Sequence, residues 1–371
     1  YSTVIPPDEH RKWEESTAGE YAGLGVKIQD VTDGLLVVGV LPGGPAAQAG
    51  IRPGDTLIEA DGKSLAEVDL DEIEATRMLK GEPGSQVEVT LIRGPRPETG
   101  PAQGPRIVVP VTRAVVRPPT VFERRLGPES SIGVIRLTEF AEATQDDFDE
   151  ALDRMLATGV QGVVLDLRHN GGGVLPTAVA IADRFIESGI VVRMEGRAPG
   201  ATRQYDAHAD TTISDTVPLI VLVNGRSASA SEVVAGALQD HRRALLVGER
   251  TYGKFLVQSI TDIPGREAGL QLTTSRYYLP SGRSYQRPPT NGRPGGDETR
   301  PAVGILPDVI VPLESDVLEK LRMAWRNEEA TPWGESPPFE DVEADWIDPQ
   351  MQRALELLQG QLVLRRIRPA R

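Results

Sequence analysis

The chain has 371 residues, too many for one ordinary hydrophobic core, so two or three domains are expected. About two-fifths of the residues are apolar and a quarter are charged, the profile of a globular protein, and the net charge of −14 excludes nucleic-acid binding as the main role. Cysteine is absent, which removes disulfides, thiol catalysis and zinc–thiolate sites together. No apolar run approaches the roughly 18 residues of a membrane span. The start at Tyr1, without Met or a signal peptide, reads as a processed or trimmed chain.

Residues 1–20 are polar and read as the remnant of a longer N-terminal region. A Gly-rich entry and alternation in 21–34 predict a loop feeding a strand, followed by a strand at 35–41. GGPAAQAGIRPGD (43–55) predicts a short helix stopped by Gly50, then a Pro-Gly turn. A strand at 56–62, a helix over 67–80 and alternating strands at 85–93 and 106–113 complete a unit spanning 21–113.

A second unit, 114–315, follows a Pro-rich linker. Strands are predicted at 132–137, 162–168, 219–223 and 245–249, with helices at 176–187 and about 231–239. Thr144 with Asp147 resembles a capping box opening another helix. The strand–helix alternation argues for an α/β core with a buried, largely parallel sheet. The stretch 257–286 reads as β-rich, and 287–303 as a Pro/Gly/Arg loop. The last segment, 316–371, combines acidic residues, concentrated in 326–347, with a helix at 348–365. Met351, Leu355, Leu358 and Leu362 on that helix predict packing on the core, with a homodimer contact as the secondary reading.

Chemistry concentrates in two turns that follow buried strands. NGRSASASEVVAGALQD (224–240) places Ser227, Ser229 and Ser231 between a strand and a helix. Small residues there admit a substrate backbone, and the helix N-terminus favours a developing oxyanion. The ordinary explanation is helix capping, for which Ser231 is the natural N-cap. The base is open between histidine and lysine. His10, His169, His208 and His241 are scattered, and Lys254 follows a Tyr-Gly pair between two strands. Burial there would favour the neutral amine that a serine needs. DLRHNGGG (166–173) admits three readings: a tight turn, a phosphate cradle without P-loop spacing, or backbone donors to an oxyanion.

Taken in order, GLGV, PAAQAGIRPGD, DLRHNGGG, SASASE, GERTYGK and VQ resemble the C-terminal processing peptidases, or tail-specific proteases, from about 20 to 313. The resemblance implies a PDZ-like β-sandwich or barrel beside a crotonase-like α/β peptidase core. The whole would be an α/β and α+β multidomain protein with a β-rich segment and a C-terminal helix. It implies a serine endopeptidase with Ser229 as nucleophile and Lys254, 25 residues later, as base. Gln258 would orient the lysine, and the Gly173 and Ala230 N–H groups would form the oxyanion hole. Asp240 would be grouped with the dyad.

The PDZ carboxylate loop would be Gly23, Leu24, Gly25 and Val26, with the 67–80 helix as the other wall. The implied partners are proteins or peptides with free C-termini. No nucleic acid, metal or cofactor is implied. The implied location is extracytoplasmic, and any membrane anchor would lie in a region before Tyr1. A non-catalytic PDZ adaptor or chaperone is the alternative, and a crotonase-like acyl-transforming enzyme a third class. Phe255 stands where the family usually has Gly. A ring there would narrow the substrate pocket, aid desolvation of Lys254, hold a resting state, or alter the backbone geometry and reduce activity.

Overall fold

Strands buried on both faces read as unbroken apolar runs, and four such runs build the centre of this protein. The structure is a computed structural model and describes residues 2–66, 77–94, 100–198, 202–209, 213–266, 268–287, 303–330, 332 and 346–367. The chain divides into two compact units. The first comprises 1–19, 120–314 and 347–371, and the second 20–119 and 315–346. Residues before 20 therefore contribute a strand, Thr3–Ile5, and a helix, Pro7–Ala18, to the first unit.

The first unit is built on a six-stranded sheet. Its order is Val121–Leu126, Ile132–Leu137, Gly162–Asp166, Leu219–Val223, Ala244–Gly248 and Val309–Ile310. The first pair is antiparallel and the others are parallel. Period-two alternation sorts the side chains between two layers. Leu137, Val163, Leu165, Leu219 and Val221 pack with residues of the helices Thr144–Ala157, Leu175–Asp183 and Ala230–Asp240. Ile132, Val134, Val164, Ile220 and Leu222 pack with Met351, Ala354, Leu355 and Leu358 of the C-terminal helix Pro349–Ile367. Met351, Leu355 and Leu358 of the expected stripe are thus used on the core, whereas Leu362 is half-buried and outside that cluster.

Helix Thr144–Ala157 does not begin with the expected capping box. Ala143 occupies the N-cap, and Thr144 is already helical. The Thr144 hydroxyl instead accepts the Ala141 N–H at 3.0 Å and bonds the Thr120 hydroxyl at 2.8 Å. A five-stranded antiparallel sheet joins Thr3–Ile5, Gly269–Tyr278, Gly189–Gly196 and Arg203–Ala207, with Leu256–Asp262 also paired to Gly269–Tyr278.

The second unit is antiparallel. Its main sheet runs Val26–Val31, Gly34–Val40, Thr56–Ala60, Gln86–Ile92 and Arg106–Thr112, with Lys63–Ser64 beside Thr56–Ala60. Pro110 sits on Arg106–Thr112, the last strand of that order, where a missing N–H costs least. A separate ladder pairs Tyr21–Gly23 with Ala114–Val116. Of the helix expected over 67–80, residues 77–79 are helical and 67–76 lie outside the described residues. Most of the expected 287–303 loop and of the acidic 326–347 stretch also lies outside them.

One buried ionic knot ties the end of strand Gly162–Asp166 to the C-terminal helix. Arg168 is 1% exposed. Its guanidinium donates to Asp166 at 2.7 and 2.9 Å, to Asp348 at 2.7 and 3.1 Å, and to Gln350 Oε1 at 3.0 Å. Asp348 also accepts the N–H groups of Gln350 and Met351, capping the helix. Burial opposes ionisation of Asp348, but Arg168 overrides it and holds the carboxyl below the usual range. Asp348→Ala leaves a buried cation short of one partner. The expected outcome is a loss of about 3–5 kcal/mol, read as a lower urea midpoint for the core transition.

Candidate active site

The turn between strand Leu219–Val223 and helix Ala230–Asp240 holds the three serines in different environments. Ser227 is fully buried, donates to the Leu167 carbonyl at 2.8 Å and accepts the Asn224 N–H at 3.0 Å. Ser231 is also fully buried and donates to the Asn170 carbonyl at 2.9 Å. It is the second helical residue, so it is not the N-cap that its position suggested. Ser229 takes the N-cap position, with φ 55° and ψ −114°. For a residue with a Cβ such angles cost on the order of 1–3 kcal/mol and persist only where the surroundings enforce them.

The enforcement comes from both sides. On one side is the Gly-rich turn after Gly162–Asp166. The Asn170 carbonyl accepts the Ala228 N–H at 3.0 Å, and its side chain bridges the Leu137 carbonyl and the Gly172 N–H at 3.0 and 2.9 Å. A Cβ at Gly172 would stand 2.8 Å from both the Ala228 oxygen and the Ser229 Cβ. At Gly173, φ 142°, a Cβ would stand 2.3 Å from the Phe140 oxygen. Gly172 thus permits the loop to lie against the serine turn, and Gly173 permits its close approach to the Phe140 backbone. Among the described residues, neither the Gly173 nor the Ala230 N–H donates a hydrogen bond.

On the other side is the Lys254 loop, and the link is Glu232. This carboxylate is fully buried. One oxygen accepts the Thr251 hydroxyl at 2.5 Å and the Gly253 N–H at 2.8 Å. The other accepts the Lys254 N–H at 2.7 Å and the Ser229 N–H at 3.0 Å. Burial pushes the Glu232 carboxyl above its usual range, and the four donors oppose that rise. Four acceptor sites meeting four donors is the full capacity of an ionised carboxylate.

Lys254 and Gln258 line one cavity of about 430 Å3, together with Gly171, Ala228 and Tyr252. Gln258 lies at an irregularity in the pairing of Leu256–Asp262 with Gly269–Tyr278. Among the described residues, Ser229 Oγ and Lys254 Nζ share no hydrogen bond. The Phe255 ring is 1% exposed and packs edge-on to Tyr285 at 5.9 Å, so it fills core space instead of the cavity. Its N–H donates to Gln286 Oε1 at 2.7 Å.

The structure does not bring Asp240 to this cluster. It ends the 11-residue helix that Ser229 caps, about 16 Å along the axis. Its carboxylate accepts the Ser281 N–H at 2.9 Å and pairs with Arg283, fixing the turn after Gly269–Tyr278. The histidines are engaged elsewhere. His241 contacts the Ile190 carbonyl, His208 pairs with Asp183, and His10 faces Asp262. His169 begins the Gly-rich turn at φ 60° and donates its N–H to Asn224.

In the second unit, Gly23 ends strand Tyr21–Gly23, Leu24 is buried and Gly25 has φ 70°. The Leu24 and Gly25 carbonyls accept the Ala46 and Leu41 N–H groups at 2.8 and 2.9 Å. Val26 opens strand Val26–Val31, which pairs with Gly34–Val40 and stands at the edge of its sheet among the described residues.

Residues 131–311 match the model of Peptidase family S41, and residues 36–93 match a PDZ domain model. A carboxy-terminal-processing protease of Bartonella bacilliformis is 34% identical over 315 residues, covering 84% of this chain and 66% of that protein. A carboxyl-terminal-processing protease of Picosynechococcus sp. is 33% identical over 317 residues, covering 85% of this chain and 70% of that protein. The chain spans 54% to 70% of the length of such curated relatives. The crystal structure of a putative S41 protease from Bacteroides fragilis shares the fold, with a TM-score of 0.52 at 18% identity, over 97% of this chain and 86% of that one. Sequence and architecture agree: the chain belongs to peptidase family S41, with the carboxyl-terminal-processing serine proteases, and carries a PDZ domain ahead of its peptidase core.

Proposed function

We propose that this chain is a serine endopeptidase that takes hold of the C-terminal tail of protein substrates and cleaves peptide bonds with a Ser229–Lys254 dyad. The observation that carries the proposal is the Glu232 carboxylate, which accepts the backbone N–H of both Ser229 and Lys254. Two residues 25 apart in sequence are held by one anion. The backbones are fixed, and the final alignment of hydroxyl and amine is left to the torsions of the lysine side chain.

In this reading Ser229 Oγ attacks the scissile carbonyl and its proton passes to neutral Lys254. The Gly173 and Ala230 N–H groups receive the oxyanion at the helix N-terminus. The lysine returns the proton to the leaving amine, leaving an acyl-enzyme. It then takes a proton from water, which attacks the ester, and passes that proton to the departing Ser229 Oγ, restoring the serine hydroxyl and the neutral amine. Gln258, lining the same cavity as Lys254, orients the amine. Asp240 is left a structural part, in keeping with its partners Ser281 and Arg283.

The tail-binding half rests on the second unit. An edge strand preceded by a Gly-rich turn suits addition of an extended peptide, with backbone amides of residues 23–26 meeting the terminal carboxylate.

Ser229→Ala and Lys254→Ala should each abolish cleavage of an unfolded protein such as casein while leaving the melting temperature near wild type. A Lys254→Ala enzyme with full activity would remove the dyad. Glu232→Gln is isosteric, but its amide turns a donor toward donors. It should lower kcat by about 10²-fold with a smaller change in KM, as misplacement of reacting groups does. An unchanged kcat would refute the clamp. In the Ser229→Ala background, a peptide with a free C-terminus should bind at least about tenfold more tightly than its C-terminal amide, because the charged hydrogen bonds are lost. Equal affinities, measured calorimetrically, would refute tail recognition without touching the dyad.

A further inference from the structure

The N-terminal helix Pro7–Ala18 and the hairpin of Leu256–Asp262 with Gly269–Tyr278 meet at an imidazole. His10 is 7% exposed, and its Nε2 is buried with no hydrogen-bond partner among the described residues. The ring lies on Gly269, where a Cβ would stand 2.3 Å from His10 Cδ2, so the close approach depends on glycine. Trp13 stacks with the same ring at 5.9 Å and 20°.

Two carboxylates face this imidazole. Asp262 Oδ1 lies 3.4 Å from Nε2, and Glu14 Oε1 lies 3.9 Å from Nδ1. One donor atom from each of His10, Glu14 and Asp262 can be chosen so that all lie within 4.8 Å of one another. Nitrogen and oxygen ligands at about 2.0–2.1 Å from a tetrahedral ion stand about 3.4 Å apart. That is the spacing of His10 Nε2 and Asp262 Oδ1.

We propose that His10, Asp262 and Glu14 form a binding site for one first-row divalent cation of the zinc type. His10 Nε2 and Asp262 supply two ligands. Glu14, four residues along the same helix and 56% exposed, rotates to supply the third, and water completes the sphere. An imidazole beside two carboxylates suits zinc better than magnesium or calcium, which prefer all-oxygen shells. The ion has no part in bond cleavage. It fastens the N-terminal helix to the tip of the hairpin whose strand Leu256–Asp262 carries Gln258 and starts two residues after Lys254.

The test uses the full chain after chelator treatment, titrated calorimetrically with zinc chloride, with thermal unfolding followed in parallel. The expected result is saturable binding of about one equivalent and a rise in Tm that magnesium chloride does not reproduce. His10→Asn and Asp262→Asn should each weaken zinc binding by about tenfold or more and cancel the rise. Asp262 is 84% exposed, so its variant reports even if His10→Asn fails to fold. Absence of saturable binding would overturn the site. Zinc binding unchanged in Asp262→Asn would overturn it too, because the ion would then sit on other residues. Neither readout depends on peptidase activity.

Discussion

A carboxylate with no exposed surface has to be surrounded by donors, and the geometry of the candidate site follows from how that demand is met at Glu232. Its donors come from two loops: the strained serine turn, and the Thr251–Lys254 stretch that follows strand Ala244–Gly248. Withdrawing either loop would leave a buried anion underbonded. The desolvation cost of one acid thereby becomes a constraint on two backbones. The φ of 55° at Ser229 is tolerable because the same anion holds its N–H.

A second constraint lies behind the first. The Gly-rich turn begins directly after Arg168, whose guanidinium is held by Asp166 from its own strand and Asp348 from the C-terminal helix. Asn170 then passes that order on to Ala228 and Ser231 through its carbonyl. The backbone donors proposed for the oxyanion therefore sit between two fully satisfied polar clusters. Such an arrangement needs little reorganisation when charge develops.

Much of the architecture was legible because it rests on local pattern. The runs IGVIRL and LIVLV coincide with strands buried on both faces, and the helix after the serine turn lies within a residue of its expected limits. Ser229, Lys254 and Gln258 were reached through the order of motifs; spacing alone left the base open. Glu232 was missed although it had a signal. Ser-Ala-Ser-Glu is a capping-box pattern, and its glutamate does bond back to the Ser229 N–H. That rule was applied at Thr144, where tertiary bonds to Thr120 and Ala141 claim the hydroxyl instead. Asp240 was grouped with the dyad through the family resemblance alone, and it stands at the far end of the 11-residue helix from Ser229. The Arg168–Asp348 pair spans 180 positions, beyond the reach of any local pattern. Phe255 looked disruptive beside Lys254 because sequence does not say which way a ring turns; it turns into the core.

The two-layer core has a consequence for how the molecule comes into being. The C-terminal helix is the last described element that a ribosome would release, yet it covers Ile132, Val134, Val164, Ile220 and Leu222. Until residues 349–367 emerge, the face of the sheet bearing Ile132, Val134, Val164, Ile220 and Leu222 has no other helix in its cluster among the described residues, and Arg168 lacks its Asp348 partner. A nascent chain can thus hold both members of the proposed dyad and still lack the support behind its Gly-rich turn. In the order of synthesis, the support from helix Pro349–Ile367 follows the residues of the proposed dyad, so the helix docks after they are made.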